Sequence, residues 1–263
     1  AGTFLHGLLE WAGRQGFAVL AKDPARLAEQ VRWRLQRMPD WQPWQSLLTD
    51  WLVRLLTQPL PLDAGGRGRA PESTLDAPVD AGHAPSDGGS CFTLAGLRQY
   101  QVEMSFMLAV QDIDLPALDA WVRQHTFNGA ARPPLLPGQL NGMLKGFIDL
   151  VFEHEGRFHV LDYKSNWLGA SDEAYRDETM QAAVLAHRYE LQYLFYLLAL
   201  HRLLKVRLPD YDYDRHVGGA LYLFLRGSGA PSRGVFAARP PRAVIEALDA
   251  AFAGQRPLGA DKP

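Results

Sequence analysis

Two aspartates and a lysine stand close together in the stretch GFIDLVFEHEGRFHVLDYKSN, residues 146–166: Asp149, Asp162 and Lys164. The residues around them are apolar, β-branched and aromatic, which suits strands, and Glu155-Gly156 makes a two-residue turn with Gly supplying a positive φ. In that hairpin Asp149 lies opposite Asp162, and opposed residues of an antiparallel pair share a face with Cβ atoms about 4.5–5.5 Å apart. The period of two also puts Phe158, Val160, Asp162 and Lys164 on one face. Two carboxylates and an ammonium group are therefore expected to converge. Opposed like charges destabilise a sheet, and in apolar surroundings one carboxylate protonates unless a cation arrives. Lys164 supplies one positive charge. A divalent metal meets the remaining imbalance, and hard oxygen donors favour Mg²⁺ or Mn²⁺ over Zn²⁺. The alternative is a buried Asp–Lys ion pair with the other aspartate exposed at a strand end, although buried ion pairs are a poor source of stability.

The elements that must position these groups follow from patterning. GTFLHGLLEWA reads as a helix with Thr3 as N-cap and Phe4, Leu5, Leu8, Leu9 and Ala12 as its apolar stripe. Helical patterns cover about 24–38 and 43–57, with Trp33, Trp44 and Trp51 as bulky anchors. YQVEMSFMLAV alternates as a half-buried strand with Val102, Met104, Phe106 and Leu108 inward and Glu103 outward. A helix near 115–125 and a proline-rich connection at 132–138 lead into the hairpin. A long helix at about 180–205, a strand in GGALYLFLRG, a short strand near 234–238 and a helix near 241–253 follow it. Strands and helices interleave, so the class is α/β. Residues 63–90 carry almost no large apolar groups and read as a flexible surface insertion, with a phosphate-binding role for GGRGR as the lesser alternative.

Composition sets the outer limits. With 263 residues, 47% of them hydrophobic and 21% charged, the chain is long enough for one large core or two small ones. No apolar run reaches the roughly 18 residues of a membrane span and no secretory signal is visible, so no membrane partner is expected and the expected compartment is the cytoplasm. The single cysteine, Cys91, excludes an internal disulfide framework and any four-cysteine zinc or iron–sulphur site. The chain opens at Ala1 without methionine, which reads as a fragment or a processed form. A net charge of −2 argues against a self-sufficient, tight binder of duplex DNA. The absence of a GxxxxGK[ST] phosphate loop leaves this chain without an ATP-motor signature.

An Asp, a hairpin and then Asp-x-Lys resembles the active site of the PD-(D/E)xK nucleases. The ordered set Gly146-Phe-Ile-Asp149, Asp162-Tyr-Lys164-Ser-Asn166 and Gln192-Tyr-Leu-Phe-Tyr196 resembles the GxxD, DxK and QxxxY series of the RecB-type branch, with Ile148 in place of the eponymous proline, as is usual there. The resemblance runs from GTFLHGLLE to the C-terminal helix. It implies one nuclease domain over 1–263, with a restriction-endonuclease-like core: a central mixed β-sheet flanked by helices. It also implies Mg²⁺-dependent exo- and endonucleolytic hydrolysis of DNA, leaving 5′-phosphate and 3′-hydroxyl ends, within a RecBCD-type helicase-nuclease for double-strand break repair and recombination. The partners implied are DNA strands or ends, a helicase part in cis, RecC and RecD subunits, and RecA recombinase.

Residue roles come from the same resemblance. It implies metal ligation by His6, Asp149, Asp162 and the backbone carbonyl of Tyr163, with Lys164 orienting or helping to deprotonate the attacking water. On its own His6, at the edge of its helix's apolar stripe, reads as a surface residue. Gln192 and Tyr196 are one helical turn apart and share a face beside the site, although Tyr196 also fits as core. Glu103 reads either as support for the site or as a solvated charge, and Ser165 and Asn166 as groups that bond backbone or phosphate where the strand leaves the site. The rival reading is a partner-docking module that loads recombinase. It gives no physical reason to keep opposed carboxylates. An iron–sulphur nuclease would need four cysteines that this chain lacks.

Overall fold

The computed structural model of the protein describes residues 2–62 and 90–258, so the insertion expected at 63–90 lies, Ser90 apart, outside the described residues. Four helices come first: α1 (Gly2–Gln15), α2 (Phe17–Leu20), α3 (Pro24–Leu35) and α4 (Gln45–Thr57). The short strands β1 (Leu60–Pro61) and β2 (Cys91–Phe92) pair with each other. Then come β3 (Tyr100–Asp114), α5 (Leu115–His125), β4 (Gln139–His154) and β5 (Arg157–Lys164). The chain continues through α6 (Asp177–Ala186), α7 (Tyr189–Arg207), α8 (Tyr213–His216), β6 (Val217–Phe224), β7 (Val235–Ala238) and α9 (Arg242–Phe252). Local chemistry sets several of these boundaries. Asp23 and Asp114 cap α3 and α5 by accepting from Arg26 N and Ala117 N, each followed by proline in the first turn.

β3-β4-β5-β6-β7 form one mixed sheet, antiparallel except for the parallel pair β5–β6, whose long connection carries α6, α7 and α8. One face packs on α1–α4, with Leu8, Phe17, Leu52, Leu150, Leu161 and Leu223 buried between them. The other packs on α5, α6, α7 and α9 through Ile148, Val160, Leu197, Tyr222 and Phe252. The β4–β5 turn is formed by Glu155 and Gly156, both left-handed at φ 50° and 78°, the combination that matches the twist of a tight hairpin. Its register is the expected one, from His154↔Arg157 to Leu150↔Leu161.

Four expectations need correction. Helix α1 already begins at Gly2, so Thr3 lies inside its first turn and is not the N-cap. Trp33 and Trp44 are exposed; of the three expected anchors only Trp51 is tied in, its Nε1 donating to Ser228 Oγ at 2.9 Å. The helix expected over 180–205 is two helices, broken at Arg188, which takes φ 57°. The break serves the Arg188 side chain, which pairs with Asp119 at 2.7 Å and with fully buried Glu190 at 2.6 Å, and donates to Pro133 O. Finally, Val102 does not share a face with Met104 and Leu108. Val102 packs on the α1–α4 side and Met104 on the α7 side, because the intervening Glu103 is left-handed at φ 51° and breaks the alternation.

β4 changes face at the same rung, with Ile148 on the α7 side and Leu150 on the α1–α4 side. The β3–β4 pairs Val102↔Leu150 and Met104↔Ile148 leave Glu103 opposite Asp149 at the switch. Nearby, Phe106 lies over Gly146, where an added Cβ would come within 2.5 Å of the ring, and packs edge-on against Tyr196 at 5.7 Å. Gly146→Ala is therefore expected to displace Phe106 and cost about 1–3 kcal/mol by overpacking. Urea unfolding of the purified variant measures the loss; unchanged stability would mean that the glycine is not there for Phe106.

Candidate active site

The β4–β5 ladder stops one rung short of the aspartates. Beyond it the Tyr163 amide donates to the Asp149 side chain, Oδ2, at 2.7 Å. A carboxylate thus takes the place that a backbone carbonyl fills elsewhere in the sheet. Asp162 and Lys164 are 5% and 7% exposed and stand two apart on the β5 face that meets α7, paired at 2.7 Å through Asp162 Oδ2. From α7, Gln192 Nε2 and the Tyr196 hydroxyl donate to Asp162 Oδ1 at 3.0 and 3.1 Å, and Gln192 Oε1 accepts from Lys164 Nζ at 2.7 Å. Gln192 Nε2 also donates to Tyr196 Oη at 2.7 Å. The ion pair weighed as an alternative is therefore real, yet Asp149 is not the exposed strand-end residue that went with it, its side chain being only 15% exposed.

Helix α1 brings His6 to the opposite side of Asp149, Nδ1 3.5 Å from Oδ2, with its ring edge-on to Tyr163 at 6.0 Å. The Tyr163 ring is buried in the α1–α4 core, so this residue meets the site through its backbone. Ser165 lies under the start of α1, its Oγ 2.7 Å from where a Cβ on Gly2 would be, and its carbonyl accepts from Arg226 Nε at 3.0 Å. Asn166 Oδ1 accepts from the Tyr189 hydroxyl at 3.3 Å.

Electrostatics separates the two carboxylates. Burial, then the neighbouring Asp162, pushes Asp149 up from 3.8 to about 7, against the lowering effect of the Tyr163 amide and Lys164. Glu103 is also raised, by burial and then by Glu10 of α1, and its charge adds to the pressure on Asp149. His6 is lowered, mainly by burial, which favours the neutral imidazole that a metal requires. Two carboxylates and one imidazole are donors suited to a hard dication, and charge is what Asp149 lacks. Among the described residues, however, no three His, Cys, Asp or Glu side chains close around one point, and both Asp162 oxygens are engaged by Lys164, Gln192 and Tyr196.

Two residues that sequence reasoning missed hold Lys164. Its Nζ lies 3.7 Å from the ring centre of Tyr189 and 4.6 Å from that of Tyr222, a cation–π cage closed by the Tyr222 hydroxyl donating to Tyr189 O at 2.6 Å. Tyr189 was findable, because it sits three residues before Gln192 and seven before Tyr196 on one helix face. Tyr222 gave no local signal; it meets Asp162 through the parallel β5–β6 register.

This arrangement, a carboxylate at a splayed hairpin end beside a carboxylate–lysine pair braced by a Gln and Tyr, accords with the comparisons. The PD-(D/E)XK nuclease superfamily profile matches residues 1–257, and the chain belongs to that superfamily. Its nucleases generally use divalent metals. Among particular relatives, the chain is 40% identical over 256 residues to the RecBCD enzyme subunit RecB of Escherichia coli strain K12, covering 96% of this chain and 19% of that protein. It is 43% identical over 174 residues to the RecBCD enzyme subunit RecB of Haemophilus influenzae, covering 65% of this chain and 14% of that protein. The chain thus spans under one fifth of the length of these relatives.

Asp149 also predicts a pH signature. Held near 7 in the fold and near 3.8 when unfolded, it binds more proton in the native state between those limits, so the stability it contributes at low pH is lost as pH rises towards 7. Asp149→Asn, which still accepts from Tyr163 N, should gain on the wild type steadily from about pH 4 to about pH 7 and level off above. Urea unfolding in EDTA across that range checks this; a constant difference between the two proteins would contradict it.

Proposed function

We propose that this chain, over 1–263, is the deoxyribonuclease domain of a RecBCD-type helicase-nuclease, dependent on Mg²⁺ or Mn²⁺ and acting in the cytoplasm on single strands or ends produced during double-strand break repair and recombination. The observation that carries it is the convergence of Asp149, Asp162 and Lys164, braced by Gln192 and Tyr196, in a member of the PD-(D/E)XK nuclease superfamily. His6, Asp149, Asp162 and the Tyr163 carbonyl would hold the ion, with Asp162 turning one oxygen away from its present partners. The ion would supply positive charge to the phosphate and lower the pKa of the attacking water. Lys164, fixed by Asp162, Gln192 and two tyrosine rings, would orient that water and balance charge growing on the phosphoryl oxygens. Gln192 and Tyr196 keep Asp162 and Lys164 in register with each other. Ser165 and Asn166 shape the exit of β5, and Glu103 adds negative charge that the ion offsets. Cleavage leaves a 5′-phosphate and a 3′-hydroxyl.

The RecB relatives are, by name, subunits of a RecBCD enzyme. By extension the rest of a RecB-type chain, with RecC and RecD subunits, delivers unwound strand to this site, and RecA recombinase acts on what remains. A net charge of −2 fits dependence on delivery.

Asp149→Ala, Asp162→Ala and Lys164→Ala are each expected to reduce Mg²⁺-dependent cleavage of single-stranded DNA at least a hundredfold while leaving the protein folded. A nuclease assay with Mg²⁺ and with EDTA decides it, and near-normal cleavage by any one folded variant sinks the assignment. In thermal melts Mg²⁺ or Mn²⁺ should raise the melting temperature of the wild type and much less that of Asp162→Ala, since a ligand of the native state stabilises by mass action. Equal shifts would place the ions elsewhere.

A further inference from the structure

Two aromatic side chains stand in solvent on the chain segments that leave the carboxylates. Phe147 precedes Asp149 by two residues, about 7 Å along an extended strand, and is 50% exposed. Trp167 follows Lys164 by three residues and is 67% exposed. Neither is loose. Phe147 sits in the β3–β4 ladder opposite Ser105. The segment bearing Trp167 is tied down on both sides: at Ser165 O by Arg226, at Asn166 by Tyr189, and at Leu168, whose amide donates to the Tyr175 hydroxyl at 3.4 Å and whose side chain packs on the core. An indole held outward by its neighbours is a surface, not a core residue that failed to bury. Lys145 lays its ammonium over one face of the Phe147 ring, 5.6 Å from its centre, which puts a positive charge at that aromatic surface.

We propose that Phe147 and Trp167 are stacking platforms for nucleobases of a single strand that passes Asp149 and Asp162, with Lys145 contacting the backbone. The proposal rests on the nuclease reading and deepens it. Every base has a π-face, so such platforms grip a strand without reading its sequence, as a nuclease fed by unwinding requires. They also supply binding that a chain of net charge −2 does not obtain from phosphate contacts alone. Duplex DNA keeps its bases stacked on one another and offers these rings nothing, so the platforms select single strands.

The test uses this chain, fluorescein-labelled oligothymidylate and the same oligonucleotide with abasic sites, with binding measured without divalent ions and cleavage with Mg²⁺. Trp167→Ala and Phe147→Ala should each weaken binding of the normal strand about five- to a hundredfold. KM for cleavage should rise accordingly, with kcat within about threefold. Trp167→Phe and Phe147→Tyr should restore most of the loss. The abasic strand should bind the wild type as weakly as the normal strand binds the alanine variants, with little further loss when the two changes are combined. Circular dichroism confirms the fold of each variant. Equal binding by wild type and alanine variants, rescue by Trp167→Leu and Phe147→Leu equal to that by the aromatic replacements, or an undiminished effect on the abasic strand overturns the proposal. Wild-type cleavage is scored separately: if it is absent the nuclease reading fails, whereas intact cleavage with unchanged KM in the variants removes only the platforms.

Discussion

The site depends on one substitution of partners within the sheet, the Asp149 carboxylate accepting the Tyr163 amide where the β4–β5 ladder ends. A buried amide needs an acceptor, and a side chain that fills the role must stay close to the neighbouring strand. This fixes Asp149 beside Asp162 although their mutual repulsion opposes it, and burial, with that repulsion added, raises the affinity of Asp149 for a proton. The remainder of the fold makes that crowding tolerable. Lys164 neutralises Asp162, and α7 supplies donors to Asp162 and an acceptor and a ring to Lys164.

The rung shared by Glu103 and Asp149 explains how two cores meet at one site. Both strands change face there, so Val102 and Leu150 pack under α1–α4 whereas Met104 and Ile148, two residues away across the rung, pack under α5–α9. Asp149 stands at the change, reached by His6 from one helical layer while the second layer holds its neighbour Asp162 through Gln192 and Tyr196. Glu103 adopts a left-handed backbone rarely taken by residues other than glycine and asparagine, a cost of order 1–3 kcal/mol that the flanking ladder on both sides enforces.

Lys164 illustrates how a buried cation is held by mixed partners. One carboxylate oxygen, one amide oxygen and two tyrosine rings surround Nζ. The rings attract positive charge through their quadrupoles without accepting a proton, so they orient the group beside its two oxygen partners. Tyr189 links this cage onward to Asn166, and Arg226 ties Ser165, so the end of β5 is as constrained as its middle.

The sequence by itself determined the hairpin, its turn and its register, because a period-two pattern around Glu155-Gly156 admits one pairing that buries Leu150, Leu161 and Val160. It also determined that Asp149, Asp162 and Lys164 meet, and, through the i, i+4 spacing, that Gln192 and Tyr196 act from one helix face. Only the tertiary structure decided the face switch, since a left-handed residue at Glu103 leaves no trace in the alternation of polar and apolar types. The break at Arg188 was equally invisible: it is set by ion pairs with Asp119, far away in sequence, and buried Glu190, whereas the local pattern on either side is helical throughout. Tyr222 reached Lys164 through a parallel pairing across three intervening helices, and His6 reached Asp149 because α1 packs across the sheet. Contacts of that kind belong to the packing of whole layers, which no spacing along the chain encodes.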